Sequence, residues 1–209
     1  MSSSLPLLML DTNILMDIWL ERGESQAPLF LDLHRTRRID LMIPEYVLLE
    51  FRGTAHLWVQ KQRVLLKGPV LSAANEWSRS KRLDSGAAGI KDGCRTLETE
   101  LNRLKSSIAE VERNIRASSQ IVPHTLQVHF QGDLRFLSGR PPDRAVDGLK
   151  DCRIYEAILG IAVAETERES PKCLLTKDSD FDYQELKDEL LQYGVTMRKD
   201  SGKLYAELR

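Results

Sequence analysis

The chain has 209 residues, of which 42% are hydrophobic and 29% charged, and this is the composition of a folded globular protein rather than a disordered or fibrous one. Its formal net charge of −1 excludes a uniformly basic protein that coats nucleic acid. The small total hides an uneven distribution, because residues 52–144 contain 16 Lys/Arg and 9 Asp/Glu, whereas the rest of the chain contains 14 and 22. A basic middle of +7 within an otherwise acidic chain of −8 suggests parts with different partners, although solvated helix faces rich in Lys and Arg would give the same pattern.

Neither a disulfide framework nor a membrane segment is expected. The three cysteines lack Cys-x-x-Cys spacing, which argues against a zinc site and favours a reducing, cytoplasmic setting. The apolar run at residues 5–10 is too short to span a membrane, and no basic segment precedes it as in a signal peptide.

The N-terminal part of the chain alternates between predicted strands and helices. The apolar run at residues 7–10 predicts a strand buried on both faces, and an aspartate ends it abruptly. Helical patterns follow at residues 14–20 and 27–36, and a second apolar strand is expected at residues 39–43. Pro44 then opens another helix, as proline does in a first helical turn.

The middle of the chain, residues 53–140, contains no convincing strand-like run and is predicted to be helical. A heptad seam predicts a long helix that packs on one partner, in a helical hairpin with its turn within residues 83–89. We interpret the seam as a structural prop, a dimerisation surface or an arm that touches substrate. Its residues recur at alternating spacings of four and three: Ile90, Cys94, Leu97, Leu101, Leu104, Ile108, Val111 and Ile115.

The C-terminal part returns to strands and helices. A third buried strand is expected at residues 173–176, followed by a helix at residues 183–192 that Gly194 stops. Residues 195–198 and 204–208 are predicted to be final strands joined by a turn.

Strands that alternate with helices predict an α/β fold with a parallel sheet and helices on both faces. We expect one domain whose body comprises residues 1–55 and 140–209. The helical hairpin is then an insert at about residues 56–139.

Acidic side chains lie where the predicted strands end. Asp11 directly follows the first strand, and Asp178 lies two residues after the third. Glu50 is less than two turns into the helix that Pro44 opens, and Asp151 is near the start of an apolar helix. Because parallel α/β sheets bind ligands at the carboxyl ends of their strands, these four carboxylates are expected to converge at one edge.

Converging carboxylates repel one another and raise each other's pKa unless a cation is present. Oxygen ligands of this kind suit Mg²⁺ or Mn²⁺, which can activate water and offset the charge of a phosphodiester. Each residue alone has an ordinary explanation, such as a helix cap for Asp11 or a solvated helix position for Glu50. The combination is what predicts a metal site.

At this point the sequence resembles the PIN-domain ribonucleases, and most clearly a larger bacterial subgroup with a helical insert. The matching segments occur in the order of the family and span most of the chain outside the insert. They are Leu-Met-Leu-Asp11-Thr12-Asn13-Ile14-Leu15, Ile43-Pro44-x-x-Val47-x-x-Glu50, Lys150-Asp151 followed by Ile154 and Ala157, and Leu175-Thr176-Lys177-Asp178-Ser179-Asp180-Phe181.

The resemblance implies a three-layer α/β/α PIN-like fold with a central parallel sheet and Mg²⁺- or Mn²⁺-dependent cleavage of RNA. It also implies that the acidic quartet of the family is formed by Asp11, Glu50, Asp151 and Asp178. Asn13 and Thr176 match positions that support the quartet, and Asp180 is expected to supplement the metal site.

We therefore predict a metal-dependent endoribonuclease that hydrolyses RNA phosphodiester bonds. Arg79, Lys81, Arg82 and Arg140 are the predicted nucleic-acid contacts. The alternatives are a PIN-like binding or scaffold protein with little catalysis and a nuclease that acts on DNA. A homodimer through the heptad is compatible with the pattern, no membrane partner is expected, and nothing in the sequence indicates an antitoxin-like partner.

Overall fold

The computed structural model describes residues 4–22, 25–142 and 148–209. Within these residues a five-stranded, all-parallel sheet has the strand order β3-β2-β1-β4-β5. The strands are β1 (Leu7–Leu10), β2 (Asp40–Pro44), β3 (Gln120–Val122), β4 (Lys172–Leu175) and β5 (Val195–Arg198).

Nine α-helices lie between or after the strands within the described residues. They are α1 (Thr12–Trp19), α2 (Ala27–Arg35), α3 (Glu45–Leu65), α4 (Leu71–Trp77), α5 (Asp84–Ala117), α6 (Leu126–Leu137), α7 (Leu149–Ala164), α8 (Gln184–Leu191) and α9 (Ser201–Leu208). A π-helical turn, Leu66–Val70, joins α3 to α4, and a 3₁₀ turn, Ser179–Phe181, precedes α8. The predicted three-layer α/β/α fold with an inserted helical hairpin is confirmed.

The centre of the sheet is apolar on both faces, as the short uncharged runs predict. Every residue of β1 and β4 is buried, and Leu10 lies opposite Leu175 in the parallel register. The chain starts at β1, moves outward through β2 and β3, and returns across β1 to β4. The strand order therefore reverses between β1 and β4, which is where open α/β sheets place their ligand sites.

The residues Arg52–Val111 form a compact unit of their own, separate from the unit that contains the sheet. Residues 112–139 group with the sheet unit. The turn of the hairpin lies at residues 78–83, just before α5, so the predicted turn at 83–89 was placed slightly too late. In the heptad seam Cys94, Leu101 and Ile108 are buried, whereas Leu97 is 53% exposed.

Two predicted elements were wrong. Residues 120–122 form β3 within the segment predicted to lack strands, because three residues at the sheet edge are too few to show a periodicity. Residues 204–208 belong to α9 rather than to a strand. The Asp200 carboxylate accepts the amides of Gly202 and Lys203 and so caps a helix where a hairpin turn was expected.

The three cysteines are buried free thiols. None of the helices described is long and apolar enough to cross a membrane.

Candidate active site

The candidate active site lies at the carboxyl edge of the sheet, at the switch point between β1 and β4. Asp11 directly follows β1 and Thr176 directly follows β4. The two strand ends are joined because the Asp11 amide donates to the Leu175 carbonyl at 3.2 Å. The side chains that follow the two strands therefore start from adjacent positions.

Asp11 is the most deeply buried carboxylate of the predicted quartet, with 3% of its surface exposed. One oxygen accepts the Thr12 amide at 2.6 Å, and the other accepts the Thr176 hydroxyl at 2.7 Å. The pKa of Asp11 is raised to about 7, first by burial and also by the charges of Glu50 and Asp178, although the two hydrogen bonds lower it. The carboxylate is thus held firmly in surroundings that disfavour its charge.

Glu50 reaches the same edge from α3. The Thr12 hydroxyl donates to its Oε2 atom, and Lys150 Nζ lies 3.4 Å from its Oε1 atom. Sequence reasoning did not assign Thr12 or Lys150 to the site, although both stand beside predicted site residues in the quoted motifs. Their contacts join residues 38 and 100 positions apart, which local sequence does not reveal.

Asp151 lies in the first turn of α7. Its pKa is raised to about 7, first by burial and then by the charges of Glu50 and Asp178, while Lys150 lowers it. Because Asp11 also contributes to this shift, the four predicted carboxylates interact with one another.

Asp178 is fixed by the backbone around it. Its Oδ1 atom accepts the Asp180 amide at 2.9 Å and caps the 3₁₀ turn, and its own amide donates to Thr176 Oγ1 at 3.0 Å. The predicted supporting residues have defined roles: Thr176 links Asp178 to Asp11, and the Asn13 side chain accepts the Lys177 amide at 3.1 Å. Asp180 is exposed on the 3₁₀ turn.

The predicted nucleic-acid contacts lie in two places. The turn residues Arg79, Lys81 and Arg82 are exposed in the helical unit. Arg140 is exposed in the sheet unit and forms ion pairs with Glu185 at 3.3 Å and Glu189 at 3.4 Å.

A family model described as PIN domain matches residues 8–181, which include every carboxylate of the site. The chain belongs to the PIN-domain family. Comparisons with curated proteins and with solved structures found no match. PIN domains are generally nucleases that act on nucleic acids with divalent metal ions, so membership supports nuclease activity of this PIN domain.

The donor set at the sheet edge fits a hard divalent cation, because it consists of carboxylate oxygens whose mutual repulsion a cation would relieve. Among the described residues, no three His, Cys, Asp or Glu side chains already enclose a common point as ligands. Mg²⁺ keeps several of its waters and takes one or two protein carboxylates, so it does not require such a cage.

Proposed function

We propose that this PIN domain is a Mg²⁺- or Mn²⁺-dependent endoribonuclease that hydrolyses RNA phosphodiester bonds at its acidic quartet. The observation that carries the proposal is the convergence of Asp11, Glu50, Asp151 and Asp178 at the carboxyl edge of the sheet, where Thr12 links Asp11 to Glu50 and Thr176 links Asp11 to Asp178. Burial and the neighbouring carboxylates raise the pKa of Asp11 and of Asp151 to about 7, which supports this interpretation. In a purely structural ion cluster, basic side chains would neutralise the carboxylates of Asp11 and Asp151. In a metal site, the bound cation does so instead.

Asp11 and Asp151 would hold the ion, with Glu50 and Asp178 beside them and Asp180 as a supplement. When bound, the ion would act as a Lewis acid that makes water a better nucleophile and offsets negative charge on the phosphodiester. The protein supplies orientation, because Thr12 and Thr176 fix both oxygens of Asp11 and Thr12 also holds Glu50.

The exposed basic turn of the helical unit supports a second part of the proposal, that Arg79, Lys81 and Arg82 bind phosphates of the substrate. The helical unit contains 11 Lys/Arg and 6 Asp/Glu, a net charge of +5. Arg140 is the weaker candidate, since two glutamates already pair with it. Three buried free thiols are compatible with the proposed cytoplasmic setting.

The test is cleavage of matched RNA and DNA oligonucleotides, single-stranded and structured, with Mn²⁺ and with EDTA. We expect the wild-type protein to cut RNA internally only with the metal. Asp11→Asn should lower the rate by at least about a hundredfold, since electrostatic stabilisation by a metal is worth several kcal/mol. Asp32→Asn, which changes an exposed carboxylate of α2, should cut at the wild-type rate.

The outcomes separate the alternatives. Cleavage of DNA in preference to RNA would show that the substrate assignment is wrong and leave the site assignment unchanged. Cleavage by Asp11→Asn at the wild-type rate would show that the site assignment is wrong. A wild-type protein that binds both oligonucleotides and cuts neither would favour the scaffold interpretation.

A further inference from the structure

A fully buried carboxylate lies beside the quartet without belonging to it. Asp17 is on α1, six residues after Asp11, and its side chain is 0% exposed. Its two oxygens contact two different cations: Oδ1 is 2.8 Å from Arg22 Nη1, and Oδ2 is 2.5 Å from Lys177 Nζ. A buried carboxylate needs partners of this kind because its desolvation is costly.

The two cations differ in where they come from. Arg22 follows α1 closely in the chain, so its pair with Asp17 is local. Lys177 comes from the segment after β4, 160 residues away, and it immediately precedes Asp178. The second ion pair therefore fastens the loop that carries a quartet residue to α1.

Lys177 is held at its backbone as well as at its side chain. Its amide donates to Asn13 Oδ1 at 3.1 Å, and its ammonium group contacts Asp17. Asn13 and Asp17 are four residues apart and so share a face of α1. One face of α1 thus binds both the backbone amide and the ammonium group of Lys177. The amide of the next residue, Asp178, donates to Thr176.

We infer that Lys177, gripped by Asn13 and Asp17, is a positioning residue that fixes Asp178 for metal binding. The inference rests on the proposed function, because it assigns Asp178 to the ion. Residues that orient metal ligands from behind change metal affinity about 10–100-fold when they are removed. Lys177 acts here through the backbone of its neighbour rather than by touching the ion.

The chain offers a matched pair of substitutions. Lys177→Met and Arg22→Met each remove one of the two cations from Asp17, and we expect similar decreases in melting temperature. Only Lys177→Met should weaken Mn²⁺ binding, by about tenfold or more, as measured by isothermal titration calorimetry on the full chain. Lys177→Arg, which keeps a cation for Asp17, should bind Mn²⁺ within about threefold of the wild type.

Asn13→Ala is the second line of the test, because it releases the Lys177 amide without unpairing a buried charge. It should weaken Mn²⁺ binding in the same direction as Lys177→Met. The inference is overturned if Lys177→Met binds Mn²⁺ as the wild type does, or if Arg22→Met weakens binding equally. Failure of the proposed function gives a different result, namely a wild-type protein that binds no Mn²⁺ or an Asp11→Asn variant that binds it unchanged.

Discussion

The sheet unit contains buried charged side chains, whereas the described residues of the helical unit include none. The sheet unit buries charges, with Asp11, Asp17 and Arg135 all less than 4% exposed. The helical unit has ion pairs at its surface, such as Lys67–Glu98 and Arg103–Glu100, in which every partner is at least 42% exposed. Exposed pairs contribute about 0–1 kcal/mol each, whereas a buried charge depends strongly on its partners. The effect of a substitution on the free energy of unfolding should therefore depend on how deeply the charge is buried, not on how many charges the unit contains.

Within the sheet unit, the buried Arg135 and the acidic quartet differ in whether nearby groups of opposite charge neutralise them. Arg135 is compensated: Glu156 lies at 2.5 Å, Glu189 at 2.9 Å, and the Pro141 carbonyl accepts from the guanidinium at 3.0 Å. Tyr155 covers the same guanidinium at 4.5 Å. In the quartet, by contrast, the charges of Glu50 and Asp178 add to burial in raising the pKa of Asp11 and of Asp151. Breaking the Arg135 cluster should therefore destabilise the fold, whereas the quartet is expected to favour the binding of a cation.

The largest expected effect is loss of Arg135. Arg135→Met should lower the free energy of unfolding by about 3–5 kcal/mol, because it leaves Glu156 and Glu189 without their shared partner. Arg103→Met, which breaks an exposed pair of the helical unit, should cost less than about 1 kcal/mol. Urea unfolding of both variants measures the difference, and equal values would break the contrast between the two units.

The next effect is stabilisation by metal. Mn²⁺ at a hundred times its dissociation constant should raise the free energy of unfolding by about 2.7 kcal/mol, since it binds the folded state. Asp11→Asn should lose most of this gain, whereas Asp32→Asn should keep it. Thermal melts with Mn²⁺ and with EDTA provide the measurement. A gain that persists in Asp11→Asn would place the ion elsewhere.

A smaller effect should appear with pH in the metal-free protein. The pKa values of Asp11 and Asp151 are raised from 3.8 to about 7, so the folded state holds these protons more tightly than the unfolded chain does. Their contribution to stability is present below the ordinary pKa and is lost as the pH rises through about 7. The melting temperature in EDTA should therefore carry a component that falls over this range.

Asp11→Asn should reduce that fall, and saturating Mn²⁺ should oppose it because the ion binds the ionised carboxylates. Melts of both proteins across the same pH range test the assignment. If the melting temperatures of the wild type and Asp11→Asn changed with pH in the same way in EDTA, the raised pKa of Asp11 would not be the cause of the fall in melting temperature.

The smallest effect on the folded protein is expected in the basic turn. Replacing Arg79, Lys81 and Arg82 by Ala should leave the melting temperature unchanged, because all three are exposed. RNA binding should weaken, and the slope of log affinity against log salt should fall by about 0.7 for each lost phosphate contact. The triple variant of Arg95, Arg103 and Lys105 removes the same charge from α5 and should retain a steeper slope. Equal slopes in the two variants would argue against specific phosphate contacts in the turn.

The parts of the site that follow strand ends were accessible to sequence reasoning. Asp11 and Asp178 follow short apolar runs, and a buried parallel strand needs only local composition to be recognised. The contacts that organise the site were not accessible. The pairs Thr12–Glu50 and Asp17–Lys177 join helices and loops far apart in sequence, and polar partners are decided by packing. Asp17 lies within the predicted helix at residues 14–20, and nothing in the local sequence distinguishes it from a solvated polar residue.

The hydroxyl of Thr176 connects two aspartates of the site through hydrogen bonds of fixed polarity. It accepts the amide of Asp178 and donates its single proton to Asp11, so both of its hydrogen-bonding roles are filled. The Asp178 amide only donates and the ionised Asp11 carboxylate only accepts, so each needs a partner with the role that the Thr176 hydroxyl provides. A serine at this position would preserve the sequence of donor and acceptor. A valine of similar shape would leave the part-buried Asp178 amide and the buried Asp11 carboxylate facing a methyl group, and the two aspartates would no longer be hydrogen-bonded to one side chain.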